Sequence, residues 1–457
     1  MSTAQKTPFD LPSLTLLLDL ANVMVSAGVT ELKFQLMQIM EAVTDKPNWD
    51  TKPMIDYIFR ELEWKASEYA KTGIVTAFDP GVVKSDTAIP QDLQKKHRAV
   101  VKPLEDISDE EKDYHPTSCR KAVDLAHPSL FPLVYGRTRV LRDKSSELTT
   151  VLTASGKGAW RVLQRMNMYS ERFQWLPCNV KFGPNGECQI ASYINNLHPA
   201  RHKNLYHIIE QIITRTMPLW NDSVSYLSDE EPEPEYDGGE DYDERYEEWQ
   251  NRRQPKRLQP CPFQPPYYCL ANIELTPDKP DYGGRAWHIE DSCQDNERIC
   301  ATAIYYYDSE NITEKVNYEQ EGFQFLRVFG FDSDAGRDDY EQITQDLCRV
   351  LCRMGRLLTF PNTLQHRVSP FSLADRSKPG HGKILALFLI DPSRRIVSTA
   401  NIPPQRGDWS NYWTAATKDV LDSRAKAYRV ELMAERSSKS ESENELFTWG
   451  GFSLCEH

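Results

Sequence analysis

The sequence predicts an α+β protein in which many short strands close into a barrel or jelly roll, with helices before and beside them. Two observations carry this. From Tyr267 to Ile390, apolar strand-like segments recur at regular spacing: Y-Y-C-L-A-N-I-E-L, R-A-W-H-I-E, I-C-A-T-A-I-Y-Y-Y, F-Q-F-L-R-V-F-G, G-R-L-L-T-F, Q-H-R-V and K-I-L-A-L-F-L-I. Such spacing, broken by turn residues, belongs to closed all-β cores. The flanking segments instead follow the helical period.

The first helical stretch runs from Asp10 to Thr44, with Leu14, Leu17, Leu18 and Val23, then Leu32, Leu36, Ile39 and Met40, on one face. A further helix is expected over Trp49–Ala70, where Met54, Ile55, Ile58, Phe59 and Leu62 form a stripe. Residues 74–127 mix prolines, charges and short apolar pieces and read as irregular structure wrapped over the body. R-T-R-V-L (137–141) is a candidate edge strand. F-Q-W-L-P-C-N-V-K-F, G-P-N-G and E-C-Q-I-A-S-Y-I form a hairpin signal, since Asn-Gly supplies the positive φ angles of a tight turn. A helix follows over about 199–216, and another is expected over Asp338–Arg353, carrying Cys348 and Cys352 in its apolar face. A last helix is expected over Trp413–Glu435, followed by a flexible S-S-K-S-E-S-E-N-E. The resulting organisation is a helical region (1–127), strands with a hairpin and helix extending the core (128–227), a charged loop (228–257), the strand-rich core (258–404) and a C-terminal helix and tail (405–457).

Charge and composition narrow the function classes. The formal net charge is −13, but Asp229–Glu248 alone holds twelve acidic residues and one arginine, a local charge of −11 that leaves −2 for the rest. A nearly neutral body has no basic face with which to displace counterions from phosphates, so no nucleic-acid partner is expected. That acidic run, and the basic R-R-Q-P-K-R after it, read as a solvated loop. No apolar run approaches the roughly 20 residues of a membrane span. Ten cysteines without a secretory segment suit a reducing compartment, so the cytoplasm is expected and the sequons at Asn221 and Asn311 are read as accidental.

The chemistry concentrates between Trp287 and Lys383. In W-H-I-E, His288 and Glu290 are two residues apart and would project from the same face of a strand. His366 arrives from a second apolar strand. Two imidazoles and one carboxylate on one face of a metal leave the opposite face open, which is the ligand set of non-haem iron(II) oxygenases, where a 2-oxo acid and then O2 take the open positions. Lys383 heads the strand K-I-L-A-L-F-L-I, where it could point inward and pair with the distal carboxylate of 2-oxoglutarate; Arg376 is the alternative cation. Other pairs are weaker. His198 and His202, one helical turn apart, read as surface or capping histidines, and Cys348 and Cys352 as core.

Several segments also resemble a known family: S-Y-I-N-N-L-H-P, H-P-S-L-F-P-L-V-Y-G-R-T-R-V, W-H-I-E, A-T-A-I-Y-Y-Y-D-S-E-N-I-T, H-R-V-S-P-F and K-P-G-H-G-K-I-L-A-L-F-L-I-D-P. They are similar to signatures of a large, mainly fungal family long catalogued as a domain of unknown function and placed with the Fe(II)/2-oxoglutarate-dependent oxygenases. The resemblance spans the N-terminal helices to about Pro404. It implies a cupin-like double-stranded β-helix core with His288, Glu290 and His366 as the metal ligands. Where relatives are expected to carry an arginine before the lysine of K-P-G-H-x-K, this chain has Gly382. The resemblance further implies small amino-acid substrates in secondary metabolism, with hydroxylation or aziridine closure from valine among the outcomes. A substrate carboxylate would need a cation, for which Arg298, Arg327 and Arg285 are candidates. The competing expectations are a non-catalytic cupin-like binding protein and a zinc hydrolase using the same three ligands.

Overall fold

The computed structural model describes residues 65–225 and 266–449, apart from 79–80, 117, 142–147, 151–169, 185, 290–295, 314–315, 323–343, 392–394 and 410–414. The helices expected over 10–44, the acidic run and F-Q-F-L-R-V-F-G lie outside the described residues. A helix at 65–72 closes the stretch expected over Trp49–Ala70.

Two antiparallel sheets dominate. The elements that build them are β1 (Val75–Phe78), β2 (Val82–Ser85), α1 (Gln91–Glu105), β3 (Ala122–Ala126), α2 (Lys203–Ser225), β4 (Pro266–Leu275), β5 (Ile299–Glu310), β6 (Val316–Gly322), β7 (Thr344–Leu351), β8 (Leu357–Pro361), β9 (Leu364–Val368), β10 (Gly380–Ile390) and α3 (Ala415–Trp449). The larger sheet has the order β1-β2-β8-β5-β10-β4-β3, and the smaller β7-β6-β9. A bridge between His288 and His366 adds the His288 segment to the outer edge of β9. In chain order β4 joins the large sheet, the His288 segment the small, β5 the large, β6 and β7 the small, β8 the large, β9 the small and β10 the large.

The pleat of β5 and β10 explains the layers. One face of the large sheet presents Ala301, Ala303, Tyr305, Tyr307, Leu385, Leu387 and Leu389, which pack on α1 and α2. Helix α2 meets them with Leu205, Ile208, Ile209, Ile212 and Ile213, recurring at three- and four-residue intervals. The other face presents Ile304, Tyr306 and Ile384, packed with Leu358 and Phe360 of the same sheet and with Val350 and Leu364 of the small sheet. The β1–β2 turn passes so close to α2 that a Cβ on Gly81, at φ +86°, would meet the Ser223 carbonyl oxygen at 2.5 Å. Only glycine fits there.

Three expectations are corrected. Residues 74–127 are not irregular: β1, β2, α1 and β3 lie there, and the three strands lengthen the large sheet at both edges. Asp338–Arg353 is not a helix where it is described, because Thr344–Leu351 pairs along its length with β6, and pairing with an open sheet edge overrides a helical apolar period. Cys348 therefore sits on a strand. Ser437–Glu445 is not a flexible tail, since α3 continues to Trp449. The hairpin is present as Val180–Phe182 against Cys188–Ile190, with Gly186 at φ +82°, and Arg139–Leu141 pairs with Leu148–Thr150. Among the described residues no helix is long and apolar enough to cross a membrane.

The α1 layer contains an acid-sensitive group. His97 is fully buried, its ring 4.6 Å from Tyr307 and 5.7 Å from Tyr305, and neither ring nitrogen has a hydrogen-bond partner among the described residues. Burial, then nearby Arg98, pulls its pKa down to about 3. Below pH 6.5 the unfolded chain therefore binds a proton that the folded chain refuses, so stability is intact above that pH and drains away between 6.5 and about 3. Urea unfolding followed from pH 7 to pH 5 should show a falling midpoint. In His97→Leu the slope should be shallower by up to about 1.4 kcal/mol per pH unit.

Candidate metal centre

His366 lies in β9, whose residues Leu364–Val368 also pair with β6. On its other side it meets His288, and the two residues exchange both backbone hydrogen bonds: His288 N–H to the His366 carbonyl at 3.0 Å, and the reverse at 2.9 Å. Residues paired this way point their side chains to the same face. Their ring centroids are 4.2 Å apart at an interplanar angle of 47°. His366 is only 3 % exposed and its ring contacts Phe360 at 4.8 Å, which places it on the side of the large sheet that faces the small one.

His288 is half-buried, and its Nδ1 stands 2.9 Å from the Ala286 carbonyl oxygen. A carbonyl only accepts, so Nδ1 carries the proton and the neutral ring's lone pair is on Nε2. Such outer bonds orient histidine ligands in metal sites. The segment is pressed against the strand end beside it. A Cβ on Gly284, at φ +79°, would meet the Val368 carbonyl at 2.7 Å and Pro370 N at 2.9 Å, and Arg285 N–H bonds to that Val368 carbonyl at 3.0 Å. Glu290 and Arg327 lie outside the described residues. The donor chemistry fits a borderline divalent ion: two imidazoles set side by side, with a carboxylate two residues along the chain from one of them.

The structure does not bring the expected co-substrate cations to this pair. Lys383 has the parity of Leu385 and Leu387 and faces the helical layer, where its Nζ bonds to Glu105 of α1 at 2.8 Å and stands 3.2 Å from Asp308. The expectation that it points inward is thereby corrected. Burial acts against its charge, but Glu105 and then Asp308 outweigh it and raise its pKa. The hydrogen bond from His381, then the charges of His381 and Lys383, hold Asp308 down at about 2. A bulge at Tyr307 turns Asp308 to this side, since Tyr306 pairs with Ile384 and Asp308 already with Lys383. Tyr307 Oη donates within the same group, near Glu105 and Asn272. Arg376 is an exposed loop residue paired with Asp281 at 2.9 Å. Arg298 precedes β5 in a left-handed conformation, its carbonyl accepting from Asp391 N–H.

Of the other histidines, His198 caps α2. Its Nδ1 accepts from Ala200 N–H at 3.1 Å and Arg201 N–H at 3.3 Å, which matches the capping reading. A cluster that sequence reasoning missed is His115, Asp124 and His127, whose ligand atoms all lie within 4.8 Å of one another, close enough for a metal ion to bridge. The signal is D-L-A-H at the end of an apolar run, obscured by the prolines and charges that surround so short a strand. Asp124 accepts a hydrogen bond from His115 Nδ1–H at 2.9 Å and has Arg429 of α3 3.6 Å away.

No curated protein sequence matches this chain. Among solved structures, IDO from Bacillus thuringiensis is 8 % identical at a TM-score of 0.28, covering 72 % of this chain and 93 % of its own. The Fe(II)/α-ketoglutarate-dependent dioxygenase TqaL is 12 % identical at 0.25, covering 66 % and 90 %. A prolyl-4-hydroxylase from Pseudomonas putida is 9 % identical at 0.24, covering 71 % and 96 %. A family model matches residues 52–413, which take in every strand of both sheets and both paired histidines, and the chain therefore belongs to the family of proteins of unknown function DUF4246.

Proposed function

We propose that this protein is a non-haem Fe(II)/2-oxoglutarate-dependent oxygenase acting on an unactivated C–H bond of a small molecule, with free amino acids as the first class to test. The observation that carries the reading is the His288–His366 pair, two imidazoles set side by side on one face of the small sheet, with Glu290 two residues after His288 in the sequence. The strand order supports it. From β4 to β10 the chain alternates between facing sheets, apart from the β6–β7 pair within the small sheet, in the manner of a double-stranded β-helix, the core this reading requires.

His288, His366 and Glu290 would hold the iron. Once bound, iron(II) with 2-oxoglutarate and O2 supplies the oxidising power for an unactivated C–H bond. The protein's part is placement. The Ala286 carbonyl keeps the His288 proton on Nδ1 so that Nε2 is the donor, and Phe360 fixes the ring plane of the nearly water-free His366. Positioning of the substrate then selects hydroxylation, desaturation or ring closure.

Succinate release from 2-oxoglutarate, measured with iron(II) across a panel of free amino acids, should rise above background with at least one of them. His366→Ala should lose both the turnover and the bound metal. No decarboxylation with any substrate, or zinc retained with no response to iron, would sink the oxygenase reading and favour hydrolysis or simple binding.

Lys383→Met separates a co-substrate anchor from a structural ion pair. Because Lys383 neutralises Glu105 beneath the helical layer, the variant should lose about 1–3 kcal/mol of stability while 2-oxoglutarate affinity, read by calorimetry on manganese-loaded protein, stays within a few-fold. A hundredfold loss of affinity at unchanged stability would return Lys383 to the anchoring role.

A further inference from the structure

The three ligand-bearing side chains at His115, Asp124 and His127 invite a second metal, but the hydrogen atoms argue otherwise. His115 Nδ1 faces the Asp124 carboxylate at 2.9 Å, which can only accept, so Nδ1 carries a proton. Its Nε2 lies 3.2 Å from the Arg285 guanidinium, which can only donate, so the lone pair there is taken. Both nitrogens are committed. His127 Nδ1 accepts from Ser129 N–H at 3.2 Å, which fixes its proton on Nε2, and burial holds its pKa near 4 so that it is neutral. Two guanidinium groups, Arg285 and Arg429, stand where a divalent cation would need anionic neighbours.

What the contacts do form is a continuous chain. Arg429, 5 % exposed and reaching from α3, grips Asp113 through both terminal nitrogens at 2.5 and 2.8 Å and faces Asp124 at 3.6 Å. Asp124, 5 % exposed on the outermost strand of the large sheet, orients His115. His115 in turn holds Arg285, three residues before His288 on the edge of the small sheet. The chain thus spans from one sheet edge to the other, and it ends on the segment whose backbone is already clamped by Gly284 and the Val368 carbonyl.

We infer that Arg429, Asp124, His115 and Arg285 form an outer support of the metal centre, in which His115 is a positioning residue that steadies Arg285 and with it the His288 segment. This rests on the metal-centre reading above. Groups of this kind raise metal affinity by restricting the ligand's motion, and their loss costs tenfold to hundredfold in affinity on the order of other outer-shell partners.

The test titrates the full-length protein with Co(II) against a chelating dye, so that the readout is metal affinity and stoichiometry, not turnover. Wild type should bind one tight equivalent, and His288→Ala should abolish it. If tight binding survives in both His288→Ala and His366→Ala, the metal-centre reading itself fails. Given that dependence, His115→Ala and Arg285→Gln should each weaken Co(II) binding by about tenfold or more. His115→Gln, whose amide oxygen can still accept from Arg285, should recover most of the loss. Arg285 is exposed, so Arg285→Gln is decisive even if His115→Ala unfolds. Wild-type affinity in Arg285→Gln overturns the proposal. So does a second tight equivalent that disappears in His127→Ala, since the cluster would then be a metal site in its own right.

Discussion

The two-sided pleat of β5 and β10 is the constraint on which the rest of the molecule depends. Each of these central strands is buried on both faces, with Tyr305, Leu385 and Leu387 against the helices and Ile304, Tyr306 and Ile384 against the other sheet. Neither face can be exchanged without exposing one core or crowding the other, so register is fixed from both sides at once. The facing sheet inherits that register, because β9 follows β8 after two residues and delivers His366 beside Phe360. His288 then needs only an edge to pair with.

Buried charges meet in pairs with defined partners: Lys383 with Glu105 and Asp308, and Arg356, fully buried, with Asp86 through two bonds at 2.6 and 2.8 Å. Such buried pairs fix geometry more than they add stability, since desolvation consumes much of the attraction. Their value here is in joining layers. Arg356 ties the start of β8 to the loop after β2, and Lys383 ties β10 to the end of α1.

How far the sequence could be read depended on how local the determinant was. The strands β4, β5, β8, β9 and β10 were legible because apolar alternation and strand parity act within a few residues, whereas β6 carries no such run. The direction of Lys383 was not, although it follows from the same parity. Deciding which face of K-I-L-A-L-F-L-I meets helices requires knowing that α1 and α2 cover one side of the sheet, which no local pattern in β10 states. Thr344–Leu351 carried a helical period that lost to pairing with β6, a contact made across the chain. The His115–Asp124–His127 cluster stayed hidden for a related reason. Its members become neighbours only once the segment before β3 folds back on it, with Tyr114 bridging Val123, and β3 is five residues long and flanked by prolines and charges.

The bulge at Tyr307 bears on how such a protein can change over generations. A strand packed on both faces is ordinarily hostage to its own length, because adding or losing one residue exchanges its two sides throughout. By absorbing an extra residue at one point, β5 lets everything beyond Tyr306 be rewritten without disturbing Thr302 and Ile304 upstream. The end that meets α1 and the end nearest the histidines are then separately variable. Lineages of this fold could refit the outer end of the strand while the chemistry beside it stays still.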